Sequence, residues 1–200
     1  MEYDLTFETT NPNIAESFLK QVFGTTMKFS LKEGTYMREY FKEDSSSLRK
    51  MIYLTSDNRV YNVDMLSQDS VPFYNAGDRI IDEYKIINGS TEKILGYSCP
   101  SRIITYKYFD KRFNDTIHSR VQYFFCHELP VDPEYYKNYW LWYDIIKEEK
   151  SVAIKFTEEW EGYFKLIYTA KKIIPQTLSK KMFELDKKSI LVEKKMNDTP

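Results

Sequence analysis

The sequence predicts a mainly β protein of the α+β class: a curved antiparallel sheet or half-barrel of roughly 9–11 strands, covered by one aromatic helix. Three observations carry that expectation. Apolar side chains alternate with polar ones along several short runs, which turns one face of each run inward. Short polar turns separate such runs at Glu33-Gly34, Asp57-Asn58, Asn88-Gly89 and Glu161-Gly162. The strand–helix–strand rhythm of a parallel sheet is missing.

Taken in order, Asn11 to Phe23 reads as a first helix. Ile14, Phe18, Leu19 and Val22 fall at helical spacing, with Asn11 placed to cap and Pro12 at the first helical position. Met27, Phe29 and Leu31 then alternate with Lys28 and Ser30 as a strand leading into Glu33-Gly34. Asn88-Gly89 is the strongest turn signal, because both central residues of a type I′ hairpin turn need positive φ. Further strands are marked by Ile104, Tyr106 and Tyr108, by Val121, Tyr123 and Phe125, by Val152, Ile154 and Phe156, and by Phe164, Leu166 and Tyr168. Asp132 to Lys150 reads as the covering helix. Asp132 caps it, Pro133 suits its first position, Glu134 sits at the positive end, and Lys147 and Lys150 at the negative one. Tyr136, Tyr139, Trp140, Tyr143 and Ile146 share one face of it and Tyr135, Trp142 and Ile145 another, so it must be buried or cover something apolar. With no repeat, low-complexity tract or linker, residues 1–200 are expected to form one domain, with Met196 to Pro200 frayed.

Composition narrows the function classes. Of 200 residues 42% are hydrophobic, enough for a core, and 16% are aromatic, from 17 Tyr, 13 Phe and 3 Trp. Tyrosine suits a pleated sheet, where its ring packs on neighbours and its hydroxyl reaches water. With only 6 Gly, no glycine-rich phosphate cradle is available. A net charge of −1 argues against nucleic acid as the partner, which needs a clustered positive field. Lys171-Lys172, Lys180-Lys181 and Lys187-Lys188 lie near acidic residues and read as a solvated face. No run approaches the roughly 18 apolar residues of a membrane span. Met1-Glu2-Tyr3-Asp4 shows neither the basic nor the apolar part of a signal peptide.

The polar motifs are weak. His118, His127, Cys99 and Cys126 are the scarce soft ligands, and along a strand Cys126-His127-Glu128 would alternate faces, so no metal site is expected. Cys99 and Cys126 are candidates for a disulfide or for two buried thiols. A Cys–His nucleophile would need an electropositive pocket that nothing here marks. Glu158-Glu159-Trp160-Glu161 and Glu148-Glu149 read as solvated turn and helix-end charge rather than an acid/base pair. Asn88-Gly89-Ser90, Asn114-Asp115-Thr116 and Asn197-Asp198-Thr199 match the glycosylation pattern, which matters only in a eukaryotic secretory setting. The aromatic stretch stands above this background. It is either core filling or the wall of a cavity, in which case Tyr136, Tyr139, Trp140 and Tyr143 are the ligand-binding candidates. No catalytic residue and no cofactor is nominated.

One stretch also carries a family resemblance. Tyr84-Lys85-Ile86 through Lys93-Ile94-Leu95-Gly96-Tyr97-Ser98-Cys99 resembles the K-x-I-L-G-Y-x-C element of GLPGLI-type and LolA/LppX-like envelope proteins of Bacteroidetes. Val121-Gln122-Tyr123-Phe124-Phe125 resembles the strand that follows there. Thr169-Ala170-Lys171-Lys172-Ile173 with Met182-Phe183-Glu184-Leu185 resembles the family's closing segment, so the likeness spans Asp78 to Leu185. It implies a LolA-like half-barrel with a helix on its concave side. It also implies a location in the periplasm or at the outer membrane, with the signal sequence removed. The function then expected is a non-enzymatic envelope protein holding a lipid or lipoprotein acyl chain. The alternative is an assembly module that docks an envelope protein through a tyrosine-rich sheet surface. A hydrolase comes third, since no convergent polar cluster is nominated.

Overall fold

Tyr3, Leu5 and Phe7 alternate with Asp4, Thr6 and Glu8 along β1 (Glu2–Thr9), and the first three are buried while the others face solvent. β1 pairs antiparallel with β2 (Thr26–Lys32) on one side and β13 (Phe164–Lys172) on the other. It thereby joins two meanders. The first continues from β2 through β3 (Thr35–Phe41), β4 (Ser47–Leu54), β5 (Arg59–Asp64) and β6 (Ser70–Asn75). The second runs from β13 through β12 (Ser151–Trp160), β11 (Asp115–Pro130) and β10 (Ser101–Asp110) to β7 (Tyr84–Asn88). A short ribbon of β8 (Glu92–Ile94) and β9 (Tyr97–Cys99) stands apart, and β14 (Ile190–Glu193) closes the series beside β6. The computed structural model describes residues 1–64, 70–79, 81, 83–110, 114–186 and 189–194. Lys187-Lys188, Asn197-Asp198-Thr199 and the tail Met196 to Pro200 lie outside the described residues.

The expected LolA-like antiparallel half-barrel of roughly 9–11 strands is corrected by this topology. Among the described residues, twelve strands form one open, mixed sheet in the order β14-β6-β5-β4-β3-β2-β1-β13-β12-β11-β10-β7. The mixture arises because β14 runs parallel to β6. A parallel neighbour requires a crossover, and the chain supplies one behind the first meander. There Lys32 Nζ donates to the Leu178 carbonyl at 2.6 Å, and Phe183 is buried against Met37, Ile52, Tyr61, Val71 and Phe73.

The helices are also shorter than their periodicity predicts. The first is α1 (Glu16–Phe23); Asn11 caps a turn instead, its Oδ1 accepting from the Asn13 amide at 2.9 Å. The covering helix from Asp132 to Lys150 breaks into a 3₁₀ turn (Pro133–Tyr136) and α2 (Trp142–Glu149). Its capping holds as expected, with Asp132 Oδ1 accepting from the Glu134 amide at 3.0 Å. Its middle is captured by tertiary bonds. The Trp140 amide donates to the Ala76 carbonyl at 2.9 Å, Asn58 Nδ2 donates to the Asn138 carbonyl at 2.8 Å, and Leu141 turns to φ +63°.

Three of the four expected turns join paired strands: Glu33-Gly34, Asp57-Asn58 and Glu161-Gly162. Asn88-Gly89 does not. The Gly89 amide donates to the Ser101 carbonyl at 2.8 Å, and a Cβ there would meet Ser101 Oγ at 2.3 Å, so this glycine serves close approach rather than a hairpin. The positive-φ pair turning β8 into β9 is Leu95-Gly96.

Gly34 bears directly on the segment 131–150. At φ +75° its missing Cβ would lie 2.2 Å from Tyr135 Cβ. Gly162, at φ +80°, has nothing within 4 Å of that position. Gly34→Ala is therefore expected to lose stability through both φ strain and collision, by about 2–4 kcal/mol, and Gly162→Ala by about 1–2 kcal/mol from φ alone. Urea unfolding of both variants checks this; equal losses would show that the segment does not press on the β2–β3 turn.

Candidate ligand-binding site

The inner face of the sheet, the one under residues 131–150, is built from alternating aromatic residues. A chain of ring contacts ties it to the cover: Phe29–Tyr36 at 5.7 Å, Tyr36–Tyr53 at 5.3 Å, Tyr53–Tyr139 at 4.9 Å and Tyr123–Trp142 at 5.1 Å. Each such pair contributes about 0.5–1.5 kcal/mol beyond simple burial. The cover does not fill the face completely. Between them lies a cavity of about 290 Å³, walled by Tyr3, Phe29, Tyr36 and Arg38 from one half of the sheet and by Tyr106, Tyr123 and Phe156 from the other. Tyr136, Tyr139, Trp140, Trp142 and Ile145 roof it.

Three of the four aromatic candidates converge there. Tyr136, Tyr139 and Trp140 line the cavity. The Tyr139 hydroxyl lies 3.1 Å from that of Tyr36. Tyr143 packs against the same core but is not part of the cavity wall, and the Lys147 ammonium sits 5.7 Å from its ring. Periodicity alone did not reveal the sheet side of the wall, above all Arg38. The signal was present: in Tyr36-Met37-Arg38-Glu39-Tyr40 the arginine takes the apolar phase of the alternation.

The electrostatics follow from burial. Removal from water pushes the phenols of Tyr36, Tyr74, Tyr123, Tyr136 and Tyr139 well above the ordinary tyrosine value, so all stay neutral at physiological pH. Tyr53 is pushed up to about 12 for the same reason. Arg38, by contrast, keeps its charge at any ordinary pH. Its guanidinium carbon lies 5.3 Å from the Phe156 ring centre and 5.5 Å from that of Tyr36, although β3 and β12 are four places apart in the sheet. Arg49 lies 4.5 Å from the Tyr40 ring and 5.7 Å from that of Phe23. Burial raises the carboxyl of Glu158 on β12 above its ordinary value, against the opposing pull of Arg38 and Arg49.

Other polar groups have structural partners. Glu149, buried at the end of α2, accepts from Arg102 Nε and lies 3.1 Å from His127 Nε2, which pins the helix to β10 and β11. Cys99 and Cys126, the disulfide candidates, are buried free thiols. Cys126 Sγ donates to Glu128 Oε2 at 3.4 Å, and burial with that bond pushes its thiol up to about 11, away from the reactive thiolate. A larger depression of about 590 Å³ opens over β7, β10, β11 and β12, but charged residues such as Lys85, Lys107, Arg120 and Glu161 edge it. The smaller cavity has the apolar, sheltered character of ligand sites. Among the described residues no cluster of three or more His, Cys, Asp or Glu could hold a metal, and no helix is long and apolar enough to cross a membrane.

Comparison with known proteins corrects the family expectation. No family model matches the chain, and no curated protein matches it. The chain is similar to two solved structures of PNGF-II, one in space group C2 and one in P21. The first is 14% identical with a TM-score of 0.46, covering 98% of this chain and 31% of that one. The second is 15% identical with a TM-score of 0.44, covering 96% and 31%. This chain thus spans about a third of the PNGF-II length. The resemblance to GLPGLI-type and LolA/LppX-like proteins is overturned, since no family model matches the chain and its sheet is mixed and open. Its quoted elements are strand edges and a turn, which unrelated β proteins also use.

The raised carboxyl of Glu158 has a definite consequence. Between the unfolded glutamate value of about 4.3 and the higher folded value, the native state holds more protons than the unfolded one. This group's contribution to stability therefore falls as pH rises through that window and is flat above it. Glu158→Gln removes the titration. The stability of the variant relative to the parent protein is expected to climb with pH across the window and then level off, as read from urea midpoints between pH 4 and 8. Parallel curves would show that Glu158 titrates as a solvated carboxylate.

Proposed function

We propose that this chain is a binding protein that holds a small, mainly apolar ligand in the cavity between the inner sheet face and residues 131–150. The observation that carries the reading is the cavity itself, about 290 Å³ of space within a face otherwise closed by ring-on-ring packing. Native interiors are packed near crystal density, and an apolar recess of this size left to water forfeits such contacts, which an apolar ligand would supply. Its volume sits at the lower end of the usual range for ligand pockets, roughly 300–1,000 Å³. A single acyl chain or compact ring system suits it better than a branched lipid. The chemistry at the wall is that of holding rather than transforming: neutral phenols, indoles, phenyl and aliphatic groups, with one guanidinium and the Ser151 hydroxyl.

Trp140 and Trp142 line the cavity, so occupancy is expected to change tryptophan fluorescence. Titration of the full chain with 1-decanol and with decanoate, below their aggregation limits, should give saturable binding for at least one. Ala153→Leu adds bulk to the cavity wall and should weaken binding about tenfold or more while leaving the urea midpoint unchanged or higher. No saturable change with either probe, or unchanged binding by Ala153→Leu, would overturn the proposal.

A further inference from the structure

We infer that the ligand of this cavity carries a single anionic group of the carboxylate class, seated on Arg38. The inference rests on the binding role proposed above and narrows its chemistry. Three observations support it independently of one another.

The first is the company Arg38 keeps. Its cross-strand neighbours are Phe29 on β2 and Met51 on β4, both apolar and both part of the cavity wall. A charge placed between two apolar residues forgoes the cross-strand pairing that stabilises charged positions in sheets. The adjacent position shows the alternative: Glu39 meets Lys50 in an ion pair of 2.9 Å. Arg38 is thus not there to knit β3 to its neighbours.

The second is an unanswered donor. Arg38 Nε is shielded from solvent and has no hydrogen-bond partner among the described residues, and the same holds for Arg49 Nε. A buried donor on a charged group is costly to leave without an acceptor. The guanidinium also offers a planar fork matched to two carboxylate oxygens. The faces of Tyr36 and Phe156 hold the group in position without using those donors.

The third is charge arithmetic. Glu158 on β12 acts on both Arg38 and Arg49, on Arg38 the more strongly, so among these three groups two cations stand against one anion. Arg38 lines the cavity and Arg49 does not. One unit of positive charge is therefore left over among the three groups, beside the cavity that Arg38 lines. The surrounding phenols remain neutral and supply hydroxyl dipoles rather than competing anions.

Two ligands with the same chain and different heads test this. Decanoate and 1-decanol are titrated against the full chain by tryptophan fluorescence at pH 8 and low salt. Decanoate is expected to bind more tightly, by about tenfold or more. Arg38→Met, which keeps an unbranched side chain, is expected to abolish that preference while retaining 1-decanol binding, and Arg38→Lys to restore part of it. Equal affinity of the parent protein for both probes, or a decanoate preference that survives Arg38→Met, would overturn the anionic head group and leave the cavity reading intact. Failure of both probes to bind the parent protein would overturn the two together. Should Arg38→Met fail to fold, the head-group comparison on the parent protein still decides the question.

Discussion

The pairing of β1 with both β2 and β13 is the constraint on which the molecule depends. Each meander on its own is a set of antiparallel strands with an apolar inner face and two open edges. β1 removes one edge from each and makes their apolar faces continuous. Arg38 on β3 and Phe156 on β12 then face the same space, although 118 residues separate them in sequence. The Tyr3 hydroxyl, donating to the Ala153 carbonyl at 2.8 Å, adds a direct tie from the bridging strand to the second half.

A sheet this wide exposes two large faces, and the chain covers them by different means. Behind the first meander the C-terminal segment lays Phe183 onto an aliphatic and aromatic patch and ends as β14. Over the inner face, residues 131–150 surrender helical hydrogen bonds in their middle for bonds to Ala76 and Asn58. A continuous helix would present a regular ridge. The broken one drops Tyr136 and Tyr139 into the sheet and spans the cavity with Trp140 to Trp142. The same break that lowers local helical regularity creates the space and its roof.

Much of the site's character comes from tyrosine's double nature. Its rings supply the buried area and the contacts that join sheet to cover, while burial keeps the hydroxyls neutral and confined to partners such as the Tyr36–Tyr139 pair. In such surroundings one permanently charged guanidinium dominates the local field, because low polarity weakens screening.

The sequence by itself determined the local structure. Alternation placed the strands at Met27, Ile104, Val121, Val152 and Phe164, three of four turns joined the strands they were expected to join, and Asp132 capped its helical turn as its side chain dictates. These features depend on neighbours a few residues away, and so were legible. Tertiary structure decided what local preference cannot encode: that β1 sits at the centre, that β14 runs parallel, that Asn88-Gly89 packs rather than turns, and that the covering helix breaks at Leu141. The aromatic roof of the site was visible from helical spacing, whereas its floor was not. Arg38 becomes a candidate only when strands four places apart are seen to share one face, because its chemistry comes from groups far away in the chain rather than from those beside it.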